Sequence, residues 1–150
     1  MFWNVLLGFV IPIVLGCWIL RKNLNLILFF FPLGIAVSAV VNNIGFNYFW
    51  HLLPEFNNHS FSALPFDLGL FPTAGCLLIY YIKQRQAHPW LAVVVSALVL
   101  TIVEWIAKAS GKLLYLNDWN IAWTYISYLL PMAIAYGYST IFYRVLKSFN

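Results

Sequence analysis

The stretch Trp90-Leu91-Ala92-Val93-Val94-Val95-Ser96-Ala97-Leu98-Val99-Leu100-Thr101-Ile102-Val103-Glu104-Trp105-Ile106-Ala107 decides the fold. Its only charge is Glu104. A helix needs roughly 20 apolar residues to cross a bilayer. A barrel strand would be about 10 residues of alternating polarity, which this is not. Lipid cannot hydrogen-bond a backbone, and a helix satisfies its own N–H and C=O groups. The run therefore predicts a transmembrane helix.

Similar runs lie on both sides. Phe2 to Leu20 stops at Arg21-Lys22. A second run starts at Leu24, stays apolar to Val41 and then turns Asn-rich and aromatic up to Trp50. Residues His51 to Pro65 are the most polar stretch and read as a loop. A third span runs from Asp67 to Ile82, followed by a short basic loop, Lys83 to Pro89. After the fourth span, Lys108 to Asn120 reads as another loop. The fifth span runs from Ile121 to Tyr143, with Arg144 and Lys147 beyond it. The expected fold is an all-α membrane protein. It is a single domain of five transmembrane helices, at about 2–20, 24–48, 67–82, 90–107 and 121–143. Bends are expected at Pro12, Pro32 and Pro131, whereas Pro72 falls early in its span and costs less.

Composition agrees. Of 150 residues, 63% are hydrophobic and 8% charged, where a soluble domain carries about 25% charge. The 8 basic and 4 acidic residues give a net charge of +4. The basic residues sit singly or in pairs at the ends of apolar runs, which marks topology rather than nucleic-acid binding. With five spans, Arg21, Lys22, Lys83, Arg85, Arg144 and Lys147 share one face, and Lys108 and Lys112 the other. The richer face is expected to be cytoplasmic, so the N-terminus is outside and the C-terminus cytoplasmic. The first run lacks the basic start of a signal peptide and reads as a retained anchor. Val14-Leu15-Gly16-Cys17 resembles a lipoprotein cleavage site only loosely. Cys17 and Cys76 lie within spans and read as small buried hydrophobes.

This topology sends all four acids to the outer half. Glu55 and Asp118 fall in outer loops, and Asp67 opens the third span. Glu104 lies about 21 Å into a core of about 30 Å. Asn42, Asn43, Asn47, Tyr115, Trp119, Thr124, Ser127 and Tyr128 collect at the same level. Thr101, Glu104 and Lys108 share one face of their helix; Thr124, Ser127, Tyr128 and Pro131 share one of theirs. An intramembrane acid must pair, face the bundle or stay protonated, and is a functional candidate by default. The plain reading of Glu104 is an i,i+4 pair with Lys108. For Asp67 it is a helix N-cap. His51 and His59, with Glu55 between them, lack the spacing of a zinc motif, so no metal and no cofactor is expected. Asn58-His59-Ser60 matches a glycosylation sequon. Gly34/Ser38, Ala107/Gly111 and Ala133/Gly137 are small pairs that could admit close helix contact.

The segment Phe66-Asp67-Leu68-Gly69-Leu70-Phe71-Pro72 resembles the acidic, proline-containing start of a central span in one protein family. The run from Glu104 through Gly111 and Tyr115 to Trp119, followed by a Ser- and Tyr-bearing last span, resembles it too. The family comprises small uncharacterised multi-pass membrane proteins from Gram-positive, often spore-forming, bacteria. The resemblance covers most of the chain. It implies a bacterial plasma membrane, and that Asp67, Glu104, Tyr115 and Trp119 form one constellation. It supplies no activity.

The expected function is non-enzymatic: binding of a small ligand, a lipid or a partner at an outer, acidic pocket. The candidate residues are Asp67, Glu104, Tyr115, Trp119, Asn43, Asn47 and Ser127. The expected partners are membrane lipids and either a second copy or another membrane protein, with no nucleic acid. One alternative is an intramembrane enzyme acting on a lipid or isoprenoid, with Asp67 and Glu104 as acid and base or as metal ligands. It ranks lower because no nucleophile is evident. A structural accessory subunit is the third reading.

Overall fold

A computed structural model describes residues 1–21 and 23–148. Among these are five helices and a short two-stranded ribbon. The helices are α1 (Phe2–Leu20), α2 (Leu24–Tyr48), α3 (Ser60–Gln84), α4 (Pro89–Ala109) and α5 (Ile121–Ser148). The ribbon pairs β1 (Trp50–Leu52) with β2 (Leu113–Tyr115). Helices α1 to α4 are long and apolar enough to cross a membrane. Helix α5 has the length but is diluted by Thr124, Tyr125, Ser127, Tyr128, Tyr136, Tyr138 and Tyr143. Large apolar side chains such as Leu98, Ile102 and Trp105 stay exposed along α4. An exposed apolar face of this kind suits a lipid surround.

The central element is α3. Of its apolar window 61% is buried, against 28%, 17% and 22% for α1, α2 and α4. Leu78, Ile79 and Cys76 of α3 pack with Phe30 of α2, Val93 and Leu100 of α4, and Met132 of α5. Both α1 and α3 widen by one residue ahead of a proline. Pro12 cannot donate to the Gly8 carbonyl, and its ring crowds that carbonyl. The backbone responds with a π turn over Leu6–Val10, in which the Ile11 N–H donates to the Leu6 carbonyl. Pro72 has the same effect over Phe66–Leu70, where the Phe71 N–H donates to Phe66. The two π turns face each other. A Cβ on Gly69 would lie 2.2 Å from the Gly8 carbonyl oxygen, so α1 and α3 touch backbone to backbone there. Helices α2 and α5 run through Pro32 and Pro131 without a break.

The ribbon is antiparallel, with Trp50 opposite Tyr115 and Leu52 opposite Leu113. It ties one end of the bundle together. Leu53 N–H donates to Lys112 at 2.8 Å, and Leu116 N–H to Phe49 at 2.8 Å. The Asn4 side chain of α1 donates to the carbonyls of Leu53 and Ser62, at 3.1 and 3.0 Å. A second small core of Phe46, Trp50, Leu52, Ala63 and Leu113 lies beneath. At the opposite end, Lys83 stands over the Tyr143 ring at 4.7 Å.

Three expectations change here. The third helix starts at Ser60, not at Asp67. Residues 51–65 are therefore not a simple loop: they hold most of β1 and the first turn of α3. The stretch 108–120 likewise contains β2. Local pattern misses such short strands because their pairing partner is some sixty residues away. The part of the basic set carried by Lys22 lies outside the described residues.

Candidate functional site

Helical spacing puts Thr124 and Tyr128 on one face of α5, turned toward Glu104 of α4. Glu104 is hydrogen-bonded on both carboxylate oxygens. Oε1 accepts from the Tyr115 hydroxyl at 2.8 Å and from Thr124 at 3.1 Å. Oε2 accepts from Tyr128 at 2.5 Å. Tyr115 and Thr124 also lie 2.9 Å apart, and the Trp119 indole N–H donates to Thr124 Oγ1 at 2.9 Å. The Trp119 ring packs against Phe49 and Trp50, with centroids 4.4 and 5.1 Å away. Thr124, fully buried, is the hub. Its importance was not evident in sequence, because a threonine on a helix face is ordinary.

The expected Glu104–Lys108 pair does not form. The Lys108 ammonium stands 4.2 Å from the centre of the Tyr115 ring, and among the described residues no lysine or arginine pairs with a carboxylate. Three neutral hydroxyl donors serve the carboxylate in place of a cation. Burial pushes the Tyr115 hydroxyl above its ordinary pKa, which keeps it a donor. Proton counting then says what this cluster can hold. Two hydroxyl protons, from Tyr115 and Thr124, serve three contacts among Tyr115, Thr124 and Oε1. A proton on Oε1 would complete the triangle. The site can thus accommodate either an ionised or a protonated carboxyl with little rearrangement.

Asp67 is placed differently from its expected role. It sits within α3, well past the helix start, so it is not an N-cap. Its carboxylate accepts from Asn42 of α2 at 2.6 Å, and its backbone carbonyl accepts from Ser38 at 3.5 Å. Among the described residues no hydrogen bond joins it to Glu104. Asn42 lines a cavity of about 70 Å³ together with Glu104 and Tyr128. A space of this size admits water. Ser127 turns away from Glu104: its hydroxyl donates to the Thr124 carbonyl at 2.8 Å and it borders a neighbouring cavity of about 50 Å³. Asn43 and Asn47 are exposed and bond within their own helix, Asn47 donating to the Asn43 carbonyl at 2.7 Å. Glu104, Tyr115 and Trp119 are therefore brought together, and Asn43 and Asn47 are not.

A far larger space lies elsewhere. Between α1 and α4, floored by α3, a groove of about 940 Å³ runs along the bundle. It extends from Trp3 and Lys112 at the ribbon end to Tyr81 and His88 at the other. Its walls are almost wholly apolar, with Leu15, Leu77, Val95 and Val99 among them. Leu70, Leu100 and Val103 separate it from the Glu104 cavity and line both.

No protein-family model, curated protein or solved structure matches this chain.

Proposed function

We propose that the chain is a five-span plasma-membrane protein that binds a long-chain membrane lipid. The alkyl chain lies in the α1–α4 groove and an anionic head sits beside Lys112. The groove is the observation that carries this reading. Its volume stands at the top of the range for ligand sites, about 300–1,000 Å³. Its near absence of polar groups suits a chain rather than a small polar molecule. Lys112, the only cation among its lining residues, supplies the charge for the head. Neither carboxyl borders the groove, which favours binding over acid–base chemistry. The Glu104 cluster then acts as the fastening of α4 to α5 and the ribbon, holding the groove's far wall.

Helix α5 serves as the fifth span because part of its polar set turns inward, although Tyr138 and Thr140 stay exposed. Thr124 and Ser139 are fully buried, and Tyr128 bonds Glu104. The orientation, N-terminus outside and C-terminus cytoplasmic, follows from Arg21, Lys83, Arg85, Arg144 and Lys147 at the ends away from the ribbon. The resemblance of the Phe66–Pro72 segment supports a bacterial membrane.

The test is lipid analysis of protein purified in mild detergent. Wild type is expected to retain a lipid enriched over the bulk extract. Val95→Trp with Val99→Trp fills the groove from two half-exposed positions, and this variant is expected to lose that lipid while still folding. Equal lipid retention in both proteins would refute the reading.

A further inference from the structure

The ribbon end carries a second cluster that the groove does not use. Trp50 and Leu52 of β1 are buried, so strand alternation turns His51 to the outer side. Glu55 follows four residues later, and its Oε1 lies 3.2 Å from His51 Nδ1. His59 stands just before α3, and its ring stacks on His51 with centroids 4.6 Å apart and planes at 17°. One ligand atom from each of the three lies within 4.8 Å of the others. His59 Nδ1 is buried and has no hydrogen-bond partner among the described residues. A buried, unpaired imidazole nitrogen is costly, and binding a metal ion is one of the few ways to satisfy it.

We propose that His51, Glu55 and His59 bind a divalent transition-metal ion of the zinc class. The donor set is two imidazoles and one carboxylate, which suits zinc better than calcium or magnesium. Bonds of about 2.0–2.2 Å in a tetrahedron place ligand atoms about 3.3 Å apart. The His51–Glu55 separation already has that value. Closing the set requires His59 to move by about 1.5 Å or less, within reach of a rotation about its side-chain bonds. Three protein ligands leave the fourth position open to solvent, as in zinc sites that hold water or a ligand. The sequence hid this site because its eight-residue reach matches no short zinc motif. The strand and the start of α3 bring its ends together. Occupancy would clamp β1 to α3 on the side of the ribbon remote from the core.

The experiment uses the full chain in detergent, stripped with chelator and then titrated with zinc chloride. Binding is read by calorimetry and by metal content after desalting. Wild type and His88→Ala are expected to retain one zinc per chain. His51→Ala and His59→Ala are expected to lose it, and Glu55→Gln to bind more weakly. Circular dichroism checks that each variant is folded, and Glu55→Gln alters only an exposed side chain. Cobalt substituted for zinc should give the intense visible absorption of a tetrahedral centre in wild type and His88→Ala, and not in His51→Ala or His59→Ala. The proposal is overturned if wild type retains no zinc, or if the His51→Ala/His59→Ala double variant retains as much as wild type.

Discussion

Replacing Thr124 by Val keeps the shape of the side chain and deletes one hydroxyl. That hydroxyl accepts from Trp119, contacts Tyr115 and donates to Glu104, all within 3.1 Å. Hydrogen bonds between membrane helices average about 0.6 kcal/mol each in double-mutant cycles, so the two bonds to Trp119 and Glu104 set a low end of about 1 kcal/mol. An upper bound comes from what is left behind. A buried donor without an acceptor costs about 1–3 kcal/mol, and a bond to a charged group is worth about 1.5–3. Trp119 is only half-buried, so water recovers part of its loss. A central value of about 3 kcal/mol follows. At about 2–4 °C per kcal/mol for a chain of this size, Tm should fall by about 6–12 °C. The assay is thermal unfolding in detergent followed by tryptophan fluorescence. Thr140→Val is the control, since that exposed hydroxyl bonds only to Tyr136 of its own helix and should change stability by less than about 0.5 kcal/mol. If Thr124→Val melts within about 2 °C of Thr140→Val, the hub does not hold α4 to α5 and the argument fails.

Two further outcomes test the packing and the orientation. Gly69→Ala puts a methyl against the Gly8 carbonyl and the Phe9 Cα, both backbone atoms that cannot swing away. It should destabilise by about 1–3 kcal/mol as overpacking, whereas Gly75→Ala, whose new methyl meets nothing within 4 Å, should be neutral in the same melt. In a background without Cys17 and Cys76, Asn57→Cys should react with an impermeant maleimide applied to intact cells, and Gln84→Cys should not. The reverse pattern would place the ribbon end in the cytoplasm.

The chemistry of single side chains, together with the helical period, made much of this protein legible. Apolar runs without alternation can be only helices in lipid, so the first, second and fourth helices were visible with nearly their final limits, whereas the third begins seven residues earlier than its apolar run suggests. The faces bearing Glu104 and Thr124-Tyr128 were also visible, because 3.6 residues per turn fixes which positions point the same way. What periodicity leaves free is the rotation of each helix about its axis and the path of the chain between helices. Those are non-local quantities, settled by packing across the bundle. They decided that Tyr115, Thr124 and Tyr128, rather than Lys108, serve Glu104, and that Asn42 rather than a helix end meets Asp67. They also left Asn43 and Asn47 outside, opened the groove between α1 and α4, and folded His51, Glu55 and His59 onto one another. Sequence alone determined that Glu104 would need partners inside an apolar bundle. Only the tertiary structure chose them, because a hydrogen bond depends on ångström distances between groups from separate elements.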